Sequence, residues 1–169
     1  MKLSKLTLSL AVVGALLVRS HQPAQAATAT ANLAVSATIA NNCTITTSPV
    51  GFPAYDPIVT HASTPDDSTT GSVTVTCTKG AAATIGLGLG ANVSGSQMRM
   101  ANGTNYLNYA LYQDSGHATV WGTSGAGLLS PGAAPSKAAR TFTVYGRIPA
   151  AQDLPAGTYT DTVVATVNF

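Results

Sequence analysis

Glutamate is absent from this chain, and charge of either sign is scarce: Asp, Lys and Arg together make up 8% of its 169 residues. Without glutamate the choice of general acids and bases narrows. The most apolar stretch, Leu6 to Val18, is too short to span a bilayer. Two cysteines, Cys43 and Cys77, are all there are. No helical period is visible after residue 26, which argues against an α or α/β fold. Disorder is also disfavoured, because it goes with high charge and few apolar residues, whereas 45% of this chain is hydrophobic.

A basic surplus is missing too, once the N-terminus is set aside. Lys2 and Lys5 precede the apolar stretch, and Ala24-Gln25-Ala26 fits the small-residue pattern of a cleavage site. Residues 1–26 therefore read as a signal peptide cut between Ala26 and Ala27, with Arg19 and His21 speaking against a retained membrane anchor. Five cations then face six aspartates, a net charge of −1. No basic stripe remains to hold phosphates, which speaks against nucleic-acid binding. The remaining 143 residues suffice for one domain with a real core, and they show neither an internal repeat nor a linker.

What is present is alternation. From Ala27 to Ile39 every odd position is apolar, including Leu33, Val35, Ala37 and Ile39, and the positions between are mostly Thr, Ser or Asn. A period of two predicts a strand with one face made for burial. Periodicity does not name the partner: the strand could pair within its own domain or with another molecule. Further on, Val73, Val75 and Cys77 alternate with Ser72, Thr74 and Thr76, while Cys43 and Ile45 continue the first pattern. Both cysteines thus fall on inward faces of strands. In an exported protein the simplest reading is one disulfide; the alternative, a catalytic thiol, has no nearby His in sequence.

More short strands follow: Ile85, Leu87 and Leu89; Tyr106 to Gln113, with Leu107, Tyr109 and Leu111 on one face; Val120 to Gly122; Arg140 to Ile148; and Thr158 to Phe169, with Val163, Ala165, Val167 and Phe169 on one side. Thr64 to Ser68 and Asp114 to His117 read as turns, and Gly125 to Ser136 as a long loop. Many short strands with turn signals between them predict an all-β sandwich.

Signals of catalysis are weak. Gly86 to Ala91 nominally fits a dinucleotide fingerprint but lacks the helix that fingerprint requires, so glycine on a strand face is the better reading. His61 and His117 sit among turn residues and read as solvated loop histidines; with scattered aspartates they give no metal spacing. Asp66-Asp67-Ser68 lacks an EF-hand pattern. Trp121 with Tyr106, Tyr109 and Tyr112 reads as core packing rather than a sugar platform. Arg147, near a strand end, is expected to satisfy carbonyls or Asp161. No enzyme activity, cofactor or metal is expected.

Several segments coincide with a known pattern: Asn42-Cys43-Thr44-Ile45 behind an alternating strand; Val73 to Cys77; Tyr106 to Tyr112; Val120-Trp121-Gly122; and above all Gly146-Arg147-Ile148-Pro149-Ala150 followed by Ala156-Gly157-Thr158-Tyr159-Thr160-Asp161. The set resembles the spore coat protein U domain family, which includes the major subunits of archaic, Csu-type chaperone–usher pili. The resemblance covers essentially the whole chain after residue 26. It implies an incomplete immunoglobulin-like sandwich, residues 41–169, lacking its last strand, with residues 27–40 as an N-terminal donor strand. Leu33, Val35, Ala37 and Ile39 would be the plugs that complete the next subunit. Val163, Ala165, Val167 and Phe169 would form a C-terminal strand facing a periplasmic chaperone. The implied partners are further copies or related pilus subunits, the chaperone and an outer-membrane usher, without stable membrane insertion. The implied route runs through the periplasm to the cell surface, in a fimbria that supports adhesion and biofilm. A coat component assembled in the same way, or a stand-alone periplasmic binding domain, are the other readings.

Overall fold

A computed structural model describes residues 25–169; the signal-peptide reading of residues 1–24 lies outside them. The chain divides into a leading unit that ends at Ala37 and a compact body, Thr38–Phe169. In the leading unit Leu33 and Val35 are each 88% exposed, and Ala37 is exposed as well. Among the described residues the stretch from Gln25 to Asn42 forms no strand within the single chain, so residues 27–39 do not pair inside their own domain. The reason is physical: a period of two fixes which side chains share a face, but a strand exists only where a neighbour supplies a ladder.

The body is all-β. Its strands are β1 (Cys43–Ser48), β2 (Asp66–Cys77), β3 (Thr84–Leu87), β4 (Met98–Asn102), β5 (Asn105–Tyr112), β6 (Arg140–Ile148) and β7 (Ala165–Asn168). Five form one antiparallel sheet in the order β1-β2-β6-β5-β4; β3 and β7 pair in a second. The inner faces of the two sheets enclose the core of an incomplete immunoglobulin-like sandwich. Val73 and Val75 of β2, Leu107, Tyr109 and Leu111 of β5, Val144 and Ile148 of β6 meet Ile85 and Leu87 of β3 there. Trp121 is fully buried among them and donates its indole N–H to the Ile85 carbonyl at 2.9 Å, so the large ring brings no orphaned donor inside.

Several local expectations change. Asp66 to Ser68 is not a turn but the start of β2, paired with Ile148, Arg147 and Gly146; the pairing overrides local turn chemistry, and a bulge between Ser68 and Gly71 absorbs the mismatch. Val120 makes a single bridge to Tyr112 rather than a strand. The last strand is short: Thr158 to Val164 adds only an isolated bridge between Thr160 and Ala101. Leu89 leaves the buried face at 39% exposure, Phe169 is 56% exposed, and Tyr106, 38% exposed, lies under the Arg99 guanidinium 4.0 Å from its ring centre instead of in the core.

The histidines are not solvated. His61 is 8% exposed and stacks on Tyr55 with ring centres 4.9 Å apart. The His117 side chain is equally buried, edge-on to Tyr112 and Tyr145, with Nε2 3.6 Å from Asp67. Arg147 does not reach Asp161; it grips Asp67 with two hydrogen bonds of 2.6 and 2.7 Å, because the β2–β6 register sets these two residues opposite one another. That grip holds the Asp67 carboxyl below its ordinary range.

Asp66 beside it is buried at 4% exposure, with one carboxyl oxygen unpartnered. Burial pushes its pKa above the ordinary 3.8, against a smaller opposing pull from His61. A carboxyl raised in the folded state takes stability away once the pH passes that raised pKa; below 3.8 it is protonated in both states and the difference vanishes. Asp66→Asn should therefore raise the melting temperature at pH 7 by a few degrees and leave it unchanged at pH 3, as followed by circular dichroism. An equal effect at both pH values would contradict this assignment.

Candidate functional site

β1 and β7 lie at the edges of opposite sheets. In β7 and the residues before it, the carbonyls of Val164 and Thr162 accept hydrogen bonds from Gly88 and Ala91, at 2.8 and 3.1 Å. Alternation along an antiparallel ladder then turns the N–H and C=O groups of Val163, Ala165 and Val167 to the opposite, open edge. In β1 the pairing of Asn42 with Thr78, through a bond of 2.8 Å, continues as Thr44 with Thr76 and Thr46 with Thr74. Ile45 and Thr47 accordingly turn their backbone groups away from β2. The two edges approach where Val167 and Cys43 both pack against the small cluster of Cys77, Ala81, Ala83 and Ala134. Past that cluster lies a cleft of about 370 Å³ between residues 47–52 and 159–165.

The floor of this cleft is the core itself: Val73, Leu87, Met100, Tyr109, Leu111 and Val144 reach it from β2, β3, β4, β5 and β6. Apolar side chains below and unpaired backbone on the rims are the two deficits a missing strand leaves behind. A segment that filled the cleft would have to supply ladder hydrogen bonds and alternate apolar side chains, which is what strand addition does.

One wall is seated by glycine. A Cβ on Gly146 would approach Phe52 within 2.7 Å and Val50 within 2.9 Å, and Gly71 on the adjacent strand likewise leaves room for Val50. Val50 and Phe52 drop into this recess because the neighbouring Gly51 is tied down, its N–H donating to Thr70 at 2.8 Å and its carbonyl accepting from the Ser68 hydroxyl. The β2 bulge is what brings Ser68 and Thr70 to that position.

The other wall is anchored by Asp161. Its carboxylate accepts from the backbone N–H of Ala91 at 2.9 Å and of Asn92 at 3.2 Å, from the Asn92 amide at 3.0 Å, and from the Tyr109 hydroxyl at 2.6 Å. Burial and this neighbouring carboxylate push the Tyr109 hydroxyl far above its ordinary pKa, so it stays a donor. Gly90 stands against the carboxyl with φ +85°, a backbone conformation other residues rarely adopt and a place with no room for a Cβ. The glycines of residues 86–90 thus serve a strand and a turn beneath Asp161.

The residues singled out in the sequence fall as follows. Val163 and Ala165 line the cleft, Val167 lies half-buried just beyond it, and Phe169 extends past the strand into solvent. Cys43 and Cys77 are disulfide-bonded as directly opposed residues of β1 and β2, with Cα atoms 4.1 Å apart. Leu33, Val35, Ala37 and Ile39 are exposed, and Ala26 and Ala27 are exposed without strand structure. The sequence reading missed the walls: Val50 and Phe52 sit in a stretch broken by Pro49 and Pro53, and the Tyr109–Asp161 bond joins residues 52 positions apart. The one available signal was the alternation of Val50 and Phe52 around Gly51.

Comparison with known proteins bears on this arrangement. Residues 29–166 match the Spore Coat Protein U domain. Protein U of Myxococcus xanthus is 41% identical over 173 aligned residues, which cover 94% of this chain and 95% of that protein. A solved chain from the chaperone–tip adhesion subunit pre-assembly complex CsuC–CsuE, of the archaic chaperone–usher Csu pili of Acinetobacter baumannii, superposes with a TM-score of 0.55 at 26% identity. That superposition covers 78% of this chain and spans 41% of the solved chain.

Proposed function

Since the chain belongs to the Spore Coat Protein U domain family, we propose that it is a structural subunit of a surface fimbria, assembled by strand exchange through a chaperone–usher system. One observation carries the reading: the cleft between β1 and β7 combines a floor of core side chains with two open backbone edges. The exposed alternating tail, with Leu33, Val35, Ala37 and Ile39 on one face, supplies what such a cleft lacks, and it enters the cleft of another copy or a related subunit. Before assembly a periplasmic chaperone covers the same edge, along Val163, Ala165, Val167 and Phe169. Export through the periplasm, passage through an outer-membrane usher, and a role in adhesion and biofilm belong to this reading, as does the absence of catalysis.

Deleting residues 27–40 tests it. Intact protein should give ladders that resist SDS and collapse on boiling, because the inserted strands are held by many cooperative contacts; the deletion should give none. Ladders that persist without the tail would overturn the reading.

A second reading has its own support. The family description, together with 41% identity to Protein U across nearly the whole chain, favours a coat layer built by the same exchange. Electron microscopy of cells producing the protein separates the two, as thin fibres or as a continuous surface layer.

A further inference from the structure

We propose that consecutive copies, joined by strand exchange as read above, also touch through a cationic hollow on one copy and the aliphatic, acid-flanked Asp56–His61 turn of the next. The proposal rests on the exchange reading and adds to it a second contact.

The body has two poles of unlike charge. At one, β1 begins at Cys43, β2 ends at Cys77, and β6 begins at Arg140, which pairs with Val75. Lys79 and Lys137 flank an open hollow there, lined also by Asn42, Thr44, Thr76 and Thr78. With Arg140 these are three of the five cations that follow residue 26, and no aspartate occurs in residues 42–48, 72–82 or 129–143, which build this end. The twelve residues of β2 carry the chain roughly 40 Å to the other pole. There Asp66 opens β2 opposite Ile148, and the Asp56–His61 turn is fastened alongside: the His61 carbonyl accepts from Ala151 at 2.9 Å, and the Tyr55 hydroxyl donates to Pro149 at 2.8 Å. Asp56 lies in this turn, Asp66 opens β2, Asp67 is already paired with Arg147, and Asp153 follows Gln152, whose N–H donates to the Tyr55 hydroxyl at 3.1 Å.

The turn is built to present apolar surface. Asp56 Oδ1 accepts the N–H groups of Ile58 at 2.9 Å and Val59 at 3.2 Å, while the two side chains stand 82% and 77% exposed. Adjacent large aliphatics held outward on an ordered tip call for a covering surface.

Strand exchange says which surface that is. The added strand pairs antiparallel with β7, as β3 does on its other edge, and so runs parallel to β1 across the cleft. A strand added antiparallel to β7 runs from the Asn168 side toward Tyr159 and leaves the cleft beside Phe52, three residues before Tyr55 and the acidic turn. The next residues of that strand are the donor's own Asn42 and Cys43, so the donor's cationic pole arrives against the acceptor's acidic pole. Threonine methyls and lysine stems in the hollow can cover Ile58 and Val59, while the ammonium groups face Asp56 and Asp153.

Lys79 and Lys137 are the only lysines after residue 26, which makes the contact readable by zero-length carbodiimide cross-linking of the assembled full-length protein. Boiled samples should then retain a dimer whose linked peptides join Lys79 or Lys137 to Asp56 or Asp153. Ile58→Ser with Val59→Ser should cut the yield of that dimer about tenfold while the unlinked ladder persists. A normal ladder with no such linkage, or with linkage only to other aspartates, would overturn this interface and leave strand exchange standing. Failure of the untreated protein to form any ladder would overturn both.

Discussion

A chain carrying Val35→Asp should be exported and form its Cys43–Cys77 disulfide, yet yield no SDS-resistant ladder. Val35 stands at the middle of the apolar face of the tail, between Leu33 and Ala37, and is 88% exposed. In the proposed assembly it sits over a floor that includes Val73, Leu111 and Val144. Burying Leu33, Val35 and Ile39 together contributes roughly 5–9 kcal/mol as an upper bound, at about 1.5–3 kcal/mol for each side chain. The substitution removes one of these terms and sets a carboxylate in an apolar site with no cation beside it, a cost of several kcal/mol more. Together these reduce occupancy of the cleft by at least about a hundredfold. Thr38→Asp is the matched control: one position on the opposite face, it points away from the cleft and should polymerise normally, since neighbouring residues of a strand face opposite ways. Gel ladders with and without boiling read both variants. Polymerisation of Val35→Asp at the wild-type level would remove the tail from the mechanism.

That control exists because the alternation of residues 27–39 was legible from the amino acids alone. So were the inward faces of β2, β5 and β6, each a run of alternating residues long enough for period two to stand out. What escaped notice was of two kinds. The β4–β5 hairpin carried a readable local signal, Gly103-Thr104 closing the Asn102–Asn105 pair between Met98 and Met100 on one side and Leu107 on the other, with Gly103 at φ +60° as the first position of a type II′ turn requires. The cleft walls carried only the brief alternation of Val50 and Phe52 around Gly51. Val50 and Phe52 are positioned by glycines on β2 and β6, and Asp161 by Ala91, Asn92 and Tyr109. The Asp67–Arg147 pair follows from a register between residues 80 positions apart. Contacts of that range are created by the topology, and no local period encodes them.

Replacing both cysteines, Cys43→Ser with Cys77→Ser, should have the largest effect on the stability of the body. The bond closes a loop with a sequence separation of 34, and the chain-entropy model gives such a loop about 4 kcal/mol. In a domain of this size that amounts to a melting temperature lower by about 10–15 °C. The loss should also be local. Among the described strands β1 is an edge strand that pairs with β2 alone, and the bond pins that ladder at Cys43, its first residue. In the proposed assembly the tail pulls on β1 when it is engaged in another subunit, and β1 is also one rim of the cleft. Freed of its pin, β1 should exchange its amide hydrogens well before β5 or β6, and the variant should lose acceptor function as well as stability. Calorimetry with amide exchange checks both parts; a melting temperature within about 3 °C of wild type, with β1 still protected, would show that the β1–β2 ladder holds the rim without the covalent link.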